Sequence, residues 1–301
     1  MADPGGVTTV LVGGHESAAG HELLPWVAAG PAFRAVGGGR ELTEAVERAL
    51  TRSGPSGPPV CVVPMTLGRD PRLTADAARA LRWLARTAGP GRLALAAPFG
   101  TADHLVGWLR AAAAREHPPG PDSKPQTALL VTAPAADPFA DAELFRIARL
   151  VRQYGRHRWV EVAFDGGDPG PAEGVERCRR LGADRVLVVP AAFGPACAAA
   201  PVSPEPPSCP EVPPGPRTGA ALTPGGPLLT LSAAAGVLRA RVNAALHRLG
   251  HGDDGIAAGL DAEHGHGHTH SHGAGNSPGS TGGGPESDHS GDHHPHRRVH
   301  E

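Results

Sequence analysis

The chain repeats itself, and that repeat restricts the fold more than any other feature. VVPMTLG (Val62–Gly68) returns in type and phase as VVPAAFG (Val188–Gly194). VLVGGHESAAG (Val10–Gly20) lies opposite LLVTAPAADP (Leu129–Pro138), and ELTEAVERAL (Glu41–Leu50) lies opposite GPAEGVERCRRL (Gly170–Leu181). LALAAPFGTADHLVGWLRAAAA in the first half is answered by LLTLSAAAGVLRARVNAALHRL (Leu228–Leu249) in the second. Segments recurring in the same order imply a duplicated unit and two similar lobes around a cleft.

Within each half, short β-branched runs alternate with segments that are apolar at helical spacing. Thr8–Gly13, Phe33–Val36, Pro59–Pro64 and Leu93–Ala97 read as strands, with helices over Glu41–Leu50, Thr74–Ala85 and Ala102–Ala114. The second half gives strands at Ala128–Thr132, Trp159–Phe164 and Arg185–Pro190, with helices over Asp141–Tyr154 and Pro171–Leu181. This alternation predicts an α/β fold: two lobes, each a small parallel sheet with helices on both faces. The expected division is a first lobe over 1–116, a linker over 117–126 and a second lobe over 127–249. The second lobe carries a Pro-rich insertion at 195–227, with 11 prolines in 33 residues, expected to be extended and unpacked. A disordered tail is expected over 250–301, where Gly, His, Ser and Asp dominate.

Composition narrows the function classes. A net charge of −2 with 19% charged residues gives no electrostatic footprint for nucleic acid. The uncharged run Val186–Pro204 is broken by four prolines and predicts no membrane span. The N-terminal stretch carries Asp3 and no basic region, and the four cysteines show no CxxC pair, so the expected location is cytoplasmic. Cys61 and Cys178 read as small buried hydrophobes.

Histidine is the informative excess: 17 in all, 11 of them after Gly250. His15 follows the first strand at the carboxyl end of the sheet, where α/β folds bind ligands, and Gly13 and Gly14 leave room for close approach. A neutral imidazole there can bind a divalent metal or accept a proton, or His15 can be a polar turn residue capping a helix. Glu16 or Asp70 could supply a carboxylate ligand to a divalent metal. His104, at the start of a helix after the fourth strand, is a further metal-ligand candidate whose alternative reading is an ordinary first-turn helix residue. In the tail, His264, His266, His268, His270 and His272 stand at every second position. Flexible imidazoles at that spacing suit several loose sites for nickel, cobalt, copper or zinc, for buffering or delivery; an inert solvated tail is the alternative.

VLVGGHES resembles the VGHGS-type start of the class II tetrapyrrole chelatases, the CbiX and SirB-like enzymes. The stretch ADPFADAELFRIARLVRQYGRHRWVEVAFDGGDPGPAEGVERCRRLGADRVLVVPAAFG is similar to the long, two-lobed CbiX form. The resemblance covers roughly Val7–Val189. It implies a sirohydrochlorin cobaltochelatase or ferrochelatase, a lyase of cobalamin or siroheme biosynthesis. Its metal would be a substrate, cobalt or iron with nickel possible, its partner a sirohydrochlorin-like tetrapyrrole, and it would need no organic cofactor. It assigns His15 to the metal and to pyrrole protons. It also implies a second His in the turn after Pro59–Pro64, where this chain reads LGRDPRL with Arg69 and Asp70. Arg34, Arg40, Arg69 and Arg72 are candidates to pair with the substrate's carboxylates. The alternative reading is a catalytically degenerate homologue that binds or delivers metal.

Overall fold

The structure is a computed structural model that describes residues 6–27, 33–116, 126–195 and 221–263. The tail histidines from His264 to His272, Cys197, Cys209, most of the expected linker and most of the Pro-rich insertion lie outside the described residues.

The first sheet contains β1 (Thr8–Gly13), β2 (Phe33–Gly37), β3 (Val60–Met65) and β4 (Leu93–Leu95), in the order β2-β1-β3-β4. The second contains β5 (Thr127–Pro134), β6 (Val160–Asp165), β7 (Arg185–Pro190) and β8 (Ala221–Pro224), in the order β6-β5-β7-β8. Every pairing is parallel. The helices are α1 (Leu24–Val27), α2 (Arg40–Ser53), α3 (Pro71–Ala88), α4 (Ala102–Glu116), α5 (Pro138–Tyr154), α6 (Pro171–Arg180), α7 (Leu231–Gly250) and α8 (Ile256–Leu260). A 3-10 segment, His15–Leu23, leads from β1 to α1. The two sheets are the same unit built twice, as the repeat predicts.

Strand alternation divides the apolar residues among three layers. One face of each sheet, with Leu11, Cys61 and Val63 from the first and Leu129, Val131, Leu187 and Val189 from the second, joins a single shared core. The opposite faces pack separately. Val10, Val12, Val60 and Val62 meet α2 and α3 through Leu42, Val46, Leu73 and Leu81, while Leu130, Val186 and Val188 meet α6 through Val175 and Cys178. Cys61 and Cys178 are free, buried thiols, pushed up to about 12 by burial.

The lobes also exchange their closing helices. α4 follows the first sheet but packs on α5 and β7, and α7 follows the second sheet but packs on β3 and β4. Arg241 Nε donates to Phe99 O (3.3 Å) and Arg115 Nη2 to Leu228 O (3.2 Å), tying each exchanged helix to the other half. Phe99 meets Trp108 and Phe193 at ring centroid separations of 5.5 and 5.4 Å, continuing the shared core across the join.

Two expectations are corrected. The fourth strand of the second sheet is β8, inside the stretch expected to be unpacked insertion, so ALTPGGPLLT (221–230) is the counterpart of LALAAPFGT (93–101). β8 is short, exposed and prolyl at its end, the marks of an edge strand, and apolar patterning is weak there. Residues 251–263 also fold rather than joining a disordered tail. Asp254 O accepts from Leu95 N (2.8 Å), Gly255 takes a left-handed turn (φ 75°), and α8 packs on α3 with Ile256 buried. No helix among the described residues is long and apolar enough to cross a membrane.

Candidate active site

β1 ends at Gly13, and the chain turns there into the 3-10 segment. This places His15 and Glu16 at the carboxyl end of the first sheet, against the ends of β5, β6 and β7 of the second. A cavity of about 360 Å³ lies between the two, bordered on the first side by His15, Glu16, Ala18 and Glu22. Thr132 to Pro134, Asp165 and the turn after β7 close the second side. Ala18 and Ala19 both have positive φ (47° and 52°), a left-handed conformation that alanine adopts only at a cost, concentrated here beside the cavity.

His15 Nδ1 and Asp70 Oδ2 are 3.1 Å apart. In the neutral imidazole facing an ionised carboxylate, Nδ1 carries the proton and donates it, and Nε2 has the lone pair. That Nε2 is buried and has no hydrogen-bond partner among the described residues. Asp70 is fixed in turn: its Oδ1 accepts from Leu73 N (3.0 Å) at the start of α3. Burial pushes the Asp70 carboxyl up, but the bonds from His15 and Leu73 outweigh it and hold the group below the usual carboxylate range. The approach requires Gly14, because a Cβ at that position would collide with Asp70 Oδ2.

Glu16 is 1% exposed. Its Oε2 accepts from the Thr66 hydroxyl and from Leu67 N (2.9 Å), while Oε1 has no partner among the described residues. Burial pushes its carboxyl up against the lowering pull of Arg69, Thr66, His15 and Leu67. Arg69, also buried, crosses to the second half. Its Nε donates to Ala140 O (3.3 Å) and its Nη2 to Asp141 Oδ1 (3.2 Å). Phe193 N donates to Glu16 O (2.9 Å), a second tie between the halves.

The turn LGRDPRL therefore supplies no second imidazole. It supplies the carboxylate that orients His15 and a guanidinium that joins the lobes. The duplicated half offers no replacement: Pro64 pairs with Val12 as Pro190 pairs with Thr132, so the counterpart of His15 is Ala135. His104 stands apart from the cavity lining. Its Nδ1 lies 2.9 Å from the Thr101 hydroxyl, and its ring stacks on Trp108 at 5.4 Å, as an exposed first-turn residue of α4. Among the described residues no three His, Cys, Asp or Glu side chains are grouped closely enough to hold a metal ion by themselves.

None of the four arginines expected to meet substrate carboxylates lines the cavity. Arg69 is committed to Asp141, Arg40 pairs with Glu44 (2.6 Å), Arg72 lies 3.8 Å from Asp137, and Arg34 is exposed on β2. Three polar residues not singled out for the site do line it: Glu22, Thr132 and Asp165. Applying the strand-end rule to β5 and β6 as well as β1 would have pointed to Thr132 and Asp165. Glu22 sits in an irregular segment that carries no such signal.

No family model matches the chain. A sirohydrochlorin cobaltochelatase of Priestia megaterium is 41% identical over 56 residues, which are 18% of this chain and 18% of that protein. The match thus spans less than a fifth of that relative's length. A multi-domain protein of Deinococcus radiodurans, reported as structurally similar to chelatases with two additional domains, superposes with a TM-score of 0.46 at 19% identity, over 79% of this chain and 55% of that one. SirB from Bacillus subtilis with Fe3+ gives 0.41 at 16% identity, over 62% of this chain and 76% of its own. CbiX, the terminal enzyme for biosynthesis of siroheme in denitrifying bacteria, gives 0.33 at 17% identity, over 62% and 78%. In its sequence the chain is therefore similar, over that short stretch, to a sirohydrochlorin cobaltochelatase.

Proposed function

We propose that the chain is a chelatase-like enzyme, a lyase that inserts a divalent metal, cobalt or iron, into a sirohydrochlorin-type tetrapyrrole. The observation that carries this reading is the His15 imidazole: oriented by Asp70, its Nε2 buried and without a partner among the described residues, on a cavity at the carboxyl ends of two parallel sheets. A carboxylate on the far nitrogen fixes the ring's tautomer and orientation, as in carboxylate–histidine–metal arrangements. Insertion exchanges two pyrrole protons for one dication, and Nε2 is suited to hold the incoming metal or to accept a proton. The neighbouring walls, Ala18, Ala133, Pro134, Pro190 and Ala192, are small and mostly apolar, which suits the flat face of a macrocycle. With one imidazole and no preformed ligand cluster among the described residues, the macrocycle nitrogens themselves would complete the metal's coordination. Glu16 and the tail histidines His264 to His272 would serve as auxiliary ligands and a local metal supply.

The test is anaerobic absorbance of the full chain with sirohydrochlorin and cobalt(II) or iron(II). The expected result is conversion faster than without protein, lost in His15→Ala. Equal rates for His15→Ala and the parent would remove His15 from the chemistry. No acceleration by the parent would favour the second reading, a metal-binding or metal-delivery homologue, which the alternating histidines of the tail support.

A further inference from the structure

The cavity beside His15 has an unusual balance of charge. Glu16, Glu22 and Asp165 line it, and no Lys or Arg does among the described residues. A wall of that sign attracts cations. The residues come from both halves. Glu22 lies in the 3-10 segment after β1, with its carboxylate against Gly194, where a Cβ would stand only 2.7 to 3.0 Å from its atoms. Asp165 closes β6 on the opposite side. Acidity alone would not define a site, but unsatisfied buried polar atoms mark the same place. Glu16 Oε1 and Thr132 Oγ1 each lack a hydrogen-bond partner among the described residues, on residues only 1% and 3% exposed. Both residues line this cavity, one from each half. A buried hydroxyl or carboxylate oxygen left unpaired costs stability, and several facing one polar space are expected where a ligand or its water satisfies them.

We infer that this cavity holds a hydrated divalent cation, between the Glu22 and Asp165 carboxylates and the Thr132 hydroxyl, before the ion reaches His15. The inference rests on the chelatase reading and adds to it a place where the metal waits. Because no three ligating side chains converge among the described residues, the ion keeps most of its water shell and is gripped through those waters. Hard oxygen groups around a hydrated dication suit this mode, whereas direct imidazole binding needs the shell to be shed. Transfer then proceeds from oxygen groups on both halves to the single nitrogen of His15. No bond is made or broken other than exchange of water and ligands on the ion.

Manganese(II) is the probe, since it favours oxygen ligands and competes poorly for the imidazoles of the tail. Titration of the full chain by electron paramagnetic resonance counts bound ions without requiring turnover. The parent is expected to bind one more manganese than the Glu22→Gln/Asp165→Asn double variant, or to bind it at least about tenfold more tightly. His15→Ala is expected to keep that ion. Equal stoichiometry and affinity in the parent and the double variant would overturn the inference, as would loss of the ion in His15→Ala. Thr132→Val, nearly isosteric, gives a second arm, with weaker manganese binding expected and unchanged binding counting against the hydroxyl's part. Failure of the chelatase reading is separate: it shows as absent metal insertion in the parent, whatever the manganese titration gives.

Discussion

Two neighbouring side chains at the end of β1 are held in opposite electrostatic conditions. His15 has a carboxylate partner and a free lone pair; Glu16 is buried with its carboxyl pushed up by desolvation, against Arg69, Thr66, His15 and Leu67. A carboxyl whose folded pKa exceeds its unfolded value binds more protons when folded, so its ionisation destabilises the fold as pH rises from the ordinary carboxylate value of about 4.3 through the folded value. Glu16→Gln keeps an oxygen to accept from Thr66 and Leu67 and removes the buried charge. The variant is therefore expected to melt at a higher temperature than the parent at pH 7, with the gain shrinking as pH falls toward 4. A lower melting temperature at pH 7 would mean that attraction to Arg69 outweighs desolvation. His15 was legible because a lone histidine after a strand and two glycines is conspicuous. Asp70 as its orienting partner was not, because the contact joins residues 55 positions apart and needs Gly14 to permit it.

At the scale of elements, β1, β3, β5 and β7 are readable because their apolar runs are buried on both faces of parallel sheets, and period and composition then agree. β8 and α8 were not readable, for different reasons. β8 is four residues at an exposed edge, too short for alternation to register. α8 has only Ile256 and Leu260 as large apolar residues, within a polar, Gly-rich region whose composition argues for disorder. What folds it is local fit: Gly259 lies where a Cβ would run into Leu95 and Ala78, and Ile256 completes the layer of α2 and α3. Ile256→Ala is expected to destabilise the protein by about 2 to 4 kcal/mol in a denaturant titration, as truncation of a buried isoleucine does elsewhere. A change within experimental error would return residues 251–263 to the unpacked tail that composition alone suggests.

For the whole molecule, the repeat reads as two lobes, and the exchange of helices shows how far that description can be taken. α4 covers the second sheet and α7 the first, and one apolar core runs through both. Neither half is complete without the other. Cut at the 117–126 linker, the first half would keep Leu105, Leu109 and Ala112 of α4 with no sheet to bury them, and β3 and β4 would lose α7. Burial of this kind is the main favourable contribution to folding, so its loss should cost each half more than a domain of this size can spare. Equilibrium unfolding of the full chain is expected to be one cooperative transition, with far-ultraviolet circular dichroism and tryptophan fluorescence coincident. The halves expressed separately should show no cooperative transition of their own. Two resolved transitions would mean that the lobes are independent and that the exchanged helices contribute little. The coupling has a functional consequence. His15 and Glu16 stand on one half and Thr132 and Asp165 on the other, so the cavity exists only while the shared core and the pair of buried Arg69 with half-buried Asp141 hold the two sheet ends together. A duplication whose copies had stayed separate would leave those groups on two surfaces; the exchanged helices make them one site.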